Sequence, residues 1–462
     1  MNAKSNDRSR DLTTGSIPKH LLAFALPMLA GNFLQSSYAL INTYWVGNYI
    51  DINAVGATTV TGPIQFLMLA IAIGATIATS ILVAQTFGAK NYEAMGKVIG
   101  NSFSLALILG IILTAVGLIF GDNLLHALNV NPDQFEAASS YFKLMMIAFL
   151  PSFFSLLIAA ILRGIGDTFT PLAFMAGAVL INAILDPFLI IGIGPFPRLG
   201  TNGAAVASII AQIIGLSIAL IYLHRKNHFV AVKLSKFSFD KVTALKIIRM
   251  GLPTMVQQSA VSIGAAVIFT VVNSFGEAAT NAYGGCGRLE QFIFLPAISF
   301  GMAATALTGQ NFGAKKPERI KQVYKWAAIF SATVTLTLSL VLIIFSSSIL
   351  RAFGFGTDTK SLEIGLDYIH IVAPTYMFFG LLMVSNGVLN GSGNTFITMI
   401  FALGSAVILR VPLSLLFAFG FKLGTHGAWL AIAMSFIVMS IVSFIVYKSG
   451  VWKKKLLEPN LL

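Results

Sequence analysis

The sequence predicts an all-α polytopic membrane protein, with twelve transmembrane helices in two parallel-repeat lobes of six. Three observations carry that expectation. Of 462 residues, 56% are hydrophobic and 10% charged, where a soluble domain carries roughly 25% charged residues. Apolar runs long enough to cross about 30 Å of hydrocarbon as helices recur along the whole chain. The same short motifs return in the second half, in the same order.

The runs occupy residues 20–46, 55–84, 97–120, 141–162, 171–194, 203–223, 247–273, 281–309, 325–346, 366–389, 396–419 and 427–447. A polar, basic start passes straight into the first run without a cleavage-like site, which predicts an anchor rather than a removed signal peptide. The second run ends in QTFGAK (Gln85–Lys90) and the eighth in QNFGAK (Gln310–Lys315). The fourth ends in LRGIGDTF (Leu162–Phe169) and the tenth in LNGSGNTF (Leu389–Phe396). Their glycines, Gly164 and Gly166, Gly391 and Gly393, predict turns that need a left-handed backbone or a close helix approach. The Gly-Ile-Gly of 192–194 follows no strand, so it is not a dinucleotide motif. The sixth run opens on LGTNGAAVA (Leu199–Ala207) and the twelfth on LGTHGAWLA (Leu423–Ala431). Offsets between the copies are 225, 227 and 224, and Pro27 with Pro253 and Pro187 with Pro412 follow the same shift. Six helices separate equivalent points. Because six is even, both copies enter the membrane in the same sense, and an axis along the membrane normal relates them. Residues 1–223 then form an N-terminal lobe, 224–246 a cytoplasmic linker, 247–447 a C-terminal lobe and 448–462 a basic cytoplasmic tail.

The 30 Lys and Arg outnumber 17 Asp and Glu, for a net charge of +13. Their positions argue against nucleic acid as partner. The termini and even-numbered loops hold 23, 5 lie in or beside the odd-numbered loops (Lys143, Arg198, Arg351, Lys360, Lys422), and 2 lie inside helices. Positive charge concentrates on the cytoplasmic side, so both termini are expected there, in a multi-pass protein of the plasma (inner) membrane whose basic segments meet lipid headgroups. The lone Cys286 excludes an intramolecular disulfide, and no Cys/His cluster suggests a metal site. No HExxH-like spacing or Ser/His/Asp set appears, so no catalytic residue, cofactor or enzyme activity is expected. A passive channel would need a continuous polar stripe, whereas the polar residues cluster at isolated depths. Two similar lobes around a cleft, rocking to open it alternately to each side, make a transporter. The 37 Phe and 15 Met are mostly lipid-facing or core, with some available to line an adaptable pocket.

Within the fifth run, INAILDPFLIIGIG places a single acid, Asp186, in apolar surroundings. That segment, the opening GSIPKHLLAFALPMLAGNFLQSSYALINTYWVG, the QTFGAK and LRGIGDT turns and RLEQFIFLPA resemble the multidrug and toxic compound extrusion (MATE) family over nearly the whole chain. The resemblance implies secondary active multidrug efflux, in which amphipathic, often cationic compounds leave in exchange for H⁺ or Na⁺. A monomer with small-molecule substrates is expected, and a flippase for a lipid-linked precursor is the alternative. The resemblance also implies an N-lobe cavity built from an acid on helix 1, an Asn and an Asp four residues apart on helix 5, and a Tyr on helix 4. Asn182, Asp186 and Tyr141 match these positions, and the spacing of the first two stacks amide over carboxyl on one helix face. Helix 1 departs from the pattern: it reads Ile41-Asn42-Thr43, and Asn42 coordinates but cannot release a proton. The competing reading of Asp186 is a structural acid at the helix break before Pro187, or a partner for a distant arginine.

The C-lobe offers one further intramembrane acid, Glu290, in CGRLEQF. Arg288 and Gln291 flank it, but residues two apart on a helix point about 200° apart, so Arg288 and Glu290 each need another partner. Arg410 stands near the repeat equivalent of Asp186, and a Glu290–Arg410 interaction is open, in a structural or a functional role. Gln35 on helix 1 and Gln257 and Gln258 on helix 7 complete the candidate polar contacts.

Overall fold

The computed structural model describes residues 9–49, 52–127, 130–225, 239–355 and 358–454, and every regular element among them is helical. In chain order the long helices are α1 (Ile17–Tyr49), α2 (Ile52–Gly88), α3 (Tyr92–Ala127), α4 (Pro132–Gly164), α5 (Phe169–Gly192) and α6 (Thr201–Arg225). The second half repeats the count with α7 (Lys241–Asn273), α8 (Glu277–Gly313), α9 (Pro317–Ile344), α10 (Thr359–Gly391), α11 (Thr395–Gly420) and α12 (Thr425–Lys448). Each of the twelve contains a stretch long and apolar enough to cross a membrane, as the apolar runs anticipated. Part of the expected linker, 226–238, and the end of the tail, 455–462, lie outside the described residues.

Packing divides the chain into two compact units. One comprises Met1–Arg10, Ala30–Val83 and Tyr92–Arg249, the other Asp11–Leu29, Ala84–Asn91 and Met250–Leu462. α1, α2 and α7 therefore each change unit along their length. The start of α1 belongs to the second unit because Ile17, Leu21, Phe24 and Met28 form a stripe at helical spacing. They share one buried cluster with Phe300 and Leu307 of α8 and Val388 of α10.

All three repeated motifs turn out to be helix ends. After α4 and after α10 the chain reverses on Gly166 and Gly393, with φ of +84° and +82°, a region that favours glycine. After α2 and α8, the end of each helix rests on the other's backbone. A Cβ added to Gly88 would lie 2.0 Å from the Gln310 carbonyl oxygen, and one added to Gly313 would lie 1.8 Å from that of Gln85. The LGTNG and LGTHG turns serve a third purpose. Downstream of Pro187 and Pro412 the helices widen into π-helical turns, Phe188–Gly192 and Leu416–Gly420. The Leu199 and Gly200 amides donate back to the carbonyls of Leu189 and Ile190, at 3.1 and 3.3 Å. Leu423 and Gly424 do the same to Phe417 and Ala418, at 3.1 and 3.2 Å, so the loosened helix ends stay hydrogen-bonded inside an apolar environment.

Candidate functional site

In the first unit, α5 carries Asn182 and Asp186 one turn apart, and both are buried, at 3% and 0% exposure. The Asn182 amide donates to the Ser208 hydroxyl of α6 at 3.4 Å, a long contact that still ties α5 to α6. Tyr141 is buried on α4. Beside it, Ser140 accepts from the Asn202 amide at 2.9 Å, joining α4 to the start of α6. Asn42 lies in α1, but its side chain is outside the described residues. Gln35, seven positions earlier, is exposed. A buried acid with an amide one turn away suits a site that takes a small cation, a proton or a metal ion, and gives it up when water enters.

In the second unit, Glu290 of α8 is held by two tyrosine hydroxyls from α10. Tyr376 donates to Oε1 at 2.8 Å, and Tyr368 donates to the same oxygen. α10 can present both because Pro374 breaks it into a 3₁₀ turn, Ala373–Thr375, between them. Arg410 does not form a direct ion pair with Glu290. Its Nε donates to Ser435 of α12 at 3.1 Å, and its guanidinium lies 4.8 Å from the centre of the Phe436 ring. Arg288 and Gln291 are exposed, on the opposite side of α8 from Leu289 and Ile293. Gln257 meets the Thr398 hydroxyl at 3.2 Å, and Gln258 is partly buried. Around Glu290 stand aromatic rings that sequence reasoning passed over. Tyr283 stacks on Trp429 at 5.6 Å, Trp429 sets its edge against Tyr368 at 4.7 Å, and Phe294 meets Tyr376 edge-on at 5.6 Å. Ser208, Tyr368 and Tyr376 hydrogen-bond to Asn182 and Glu290, and the sequence alone did not single them out. For the tyrosines the available signal was two hydroxyls flanking a proline in an apolar run, because a partly buried acid needs donors.

The MatE family model matches residues 27–188 and 253–416, one copy in each repeat. The chain is 30% identical over 446 residues to the probable multidrug resistance protein YpnP of Bacillus subtilis (strain 168), covering 96% of this chain and 98% of that protein. It is 28% identical over 443 residues to the probable multidrug resistance protein YoeA of the same organism, covering 95% of each. Its fold is similar to that of a MOP superfamily transporter from Pyrococcus furiosus Vc1, with a TM-score of 0.91 at 22% identity over 98% of this chain and 100% of that one. With the family model matching both repeats and relatives aligned over almost their full length, the chain belongs to the MatE family, the multidrug and toxic compound extrusion transporters.

Proposed function

We propose that this protein is a secondary active exporter that moves amphipathic, often cationic compounds out across the plasma membrane in exchange for H⁺ or Na⁺. Asp186 is the coupling acid, Asn182 positions the cation beside it, and the two lobes open alternately to each side. The observation that carries the reading is the burial of Asp186 and Asn182 on one face of α5. A bare carboxylate is costly there, so the site favours an occupant that neutralises it and releases that occupant on hydration. The names of the relatives from Bacillus subtilis support efflux as the direction, and the charge bias supports cytoplasmic termini.

Proteoliposomes with an imposed pH or Na⁺ gradient, given a fluorescent cation in the external medium, provide the test. Wild type should drive uptake against the dye gradient with at least one of the two ions, and Asp186→Asn should lose it while remaining folded and inserted. Undiminished uptake by Asp186→Asn would make the acid structural. Asn42→Asp should change the number of cations exchanged per dye molecule. An unchanged ratio would remove helix 1 from coupling.

A further inference from the structure

Arg163 ends α4 inside the LRGIGDTF motif, and its counterpart in the second repeat is Asn390. There the position is closed by neutral bonds: the Thr398 hydroxyl donates to Asn390 Oδ1 at 2.7 Å and lies 3.2 Å from Gln257 Oε1. The repeat shift puts Pro171 where Thr398 stands and Gly31 where Gln257 stands. Gly31 faces α5 just as Gln257 faces α11, since a Cβ added to it would meet Met175 at 2.7 Å and Leu172 at 3.6 Å. The first repeat thus substitutes a cation for an amide and omits both polar side chains of the matching network.

The guanidinium is not occupied elsewhere. Among the described residues no hydrogen bond or ion pair reaches it. Asp167, four positions on, accepts the amides of Phe169 and Thr170 on Oδ1 alone, at 3.1 and 3.0 Å, and its buried Oδ2 makes no hydrogen bond to Arg163 or to any other described group. Last-turn carbonyls often attract a helix-end arginine. Here those of Ile161, Leu162 and Arg163 already accept the amides of Ile165, Asp167 and Gly166. The side chain is partly buried, so it is neither sealed off nor freely solvated. A planar fork of five N–H donors in such a place matches a carboxylate or a phosphate.

We propose that Arg163 is the anchor of an anion-binding site in the N-lobe, at the end of α4 assigned to the cytoplasm, which takes the phosphate or carboxylate head of an amphipathic molecule. That molecule is either a transported solute or a membrane lipid. Its part in substrate choice rests on the export reading, whereas the binding itself does not.

The test uses the full chain in phosphatidylcholine nanodiscs, with carboxyfluorescein as the anionic probe, rhodamine 6G as a cationic dye on a related ring system, and binding read by fluorescence polarisation. Arg163→Asn, which installs the residue of the second repeat, should weaken carboxyfluorescein about tenfold or more, and more than it weakens rhodamine 6G. Arg163→Lys should recover part of the loss, and inorganic pyrophosphate should compete with the anionic dye in wild type. Repeating the measurement with phosphatidylglycerol distinguishes the sources. Displacement of the dye by that lipid, in wild type only, identifies a lipid as occupant, and retained binding identifies a solute; either upholds the site. Absence of carboxyfluorescein binding by wild type, or equal binding by wild type and Arg163→Asn in both lipids, overturns it. Should Arg163→Asn fail to fold, pyrophosphate competition in wild type decides alone, and its absence overturns the site. Loss of gradient-driven rhodamine uptake with anion binding intact would instead remove the export reading.

Discussion

Gly88 and Gly313 are the residues with least room to change. A Cβ added at either would overlap a backbone carbonyl of the other helix, and backbone cannot swing aside as a side chain does. Gly88→Ala or Gly313→Ala should therefore destabilise the protein by roughly 1–3 kcal/mol or more, read as a lowered midpoint of thermal unfolding in detergent. Gly96→Ala is the contrast: nothing lies within 4 Å of a Cβ there, on α3, so it should stabilise by roughly 0.5–1 kcal/mol. Tyr376→Phe removes one of the two hydroxyls on Glu290 Oε1 and should cost about 1 kcal/mol through the partly buried acceptor it leaves with one donor. Equal stability of the variant and wild type would show that Tyr368 alone satisfies Glu290. At this scale the burial of Asn182 and Asp186 on one face of α5 was legible because their spacing is local, set by one helical turn. The tyrosines on Glu290 were not, because they come from 78 and 86 residues away.

Among elements, the segment ahead of α1 illustrates what a short polar stretch can do. Residues Leu12 to Gly15 are strapped to the α8–α9 turn. The Leu12 amide donates to Gln310 Oε1 at 2.9 Å, and Asn311 donates to the Leu12 carbonyl at 3.1 Å. Lys316 reaches Thr13 at 2.8 Å, and Arg319 reaches Thr14 and Gly15, each at 3.1 Å. Arg319→Ala should raise hydrogen exchange across residues 11–16 about tenfold, and Arg319→Lys should restore only part, since a single ammonium cannot serve the whole fan. Unchanged exchange would mean that Leu12, buried at 1% exposure, holds the strap by itself. Asp11 makes the strap sensitive to acid. Burial disfavours its charge, but the Thr13 hydroxyl and amide, with Lys316 and Lys90 nearby, hold the carboxyl below its usual range. A group lowered on folding contributes stability at neutral pH and loses it as pH falls through its folded value, below about 4. Exchange of residues 11–16, corrected for intrinsic rate, should therefore rise below about pH 4, and Asp11→Asn should show that rise at neutral pH.

For the whole molecule, the charge bias predicts a topology that labelling can check. Cys286 is buried, so Cys286→Ser gives a clean background. Single cysteines at Arg10 and Ser449 should then react with an impermeant maleimide only from the cytoplasmic side, and ones at Asp133 and Gly194 only from outside; the reverse pattern would invert the assignment. The sequence by itself determined the helix count, the parallel repeat and the placing of Asn182 and Asp186 one turn apart on one helix, because hydropathy, motif spacing and helical periodicity are properties of neighbours along the chain. It showed that QTFGAK, LRGIGDTF and LGTNG recur, but not that the first ends one helix on the backbone of another, or that the last secures a π-helical turn. Only the tertiary structure decided that the start of α1 belongs with Met250–Leu462, that Arg410 turns to Ser435 and Phe436 instead of Glu290, and that Leu12 is fastened to a residue 298 positions away. Each of these depends on which helix faces are brought together. That choice is made by close packing and by the need of every buried donor and acceptor for a partner, neither of which is written in any single stretch of the chain.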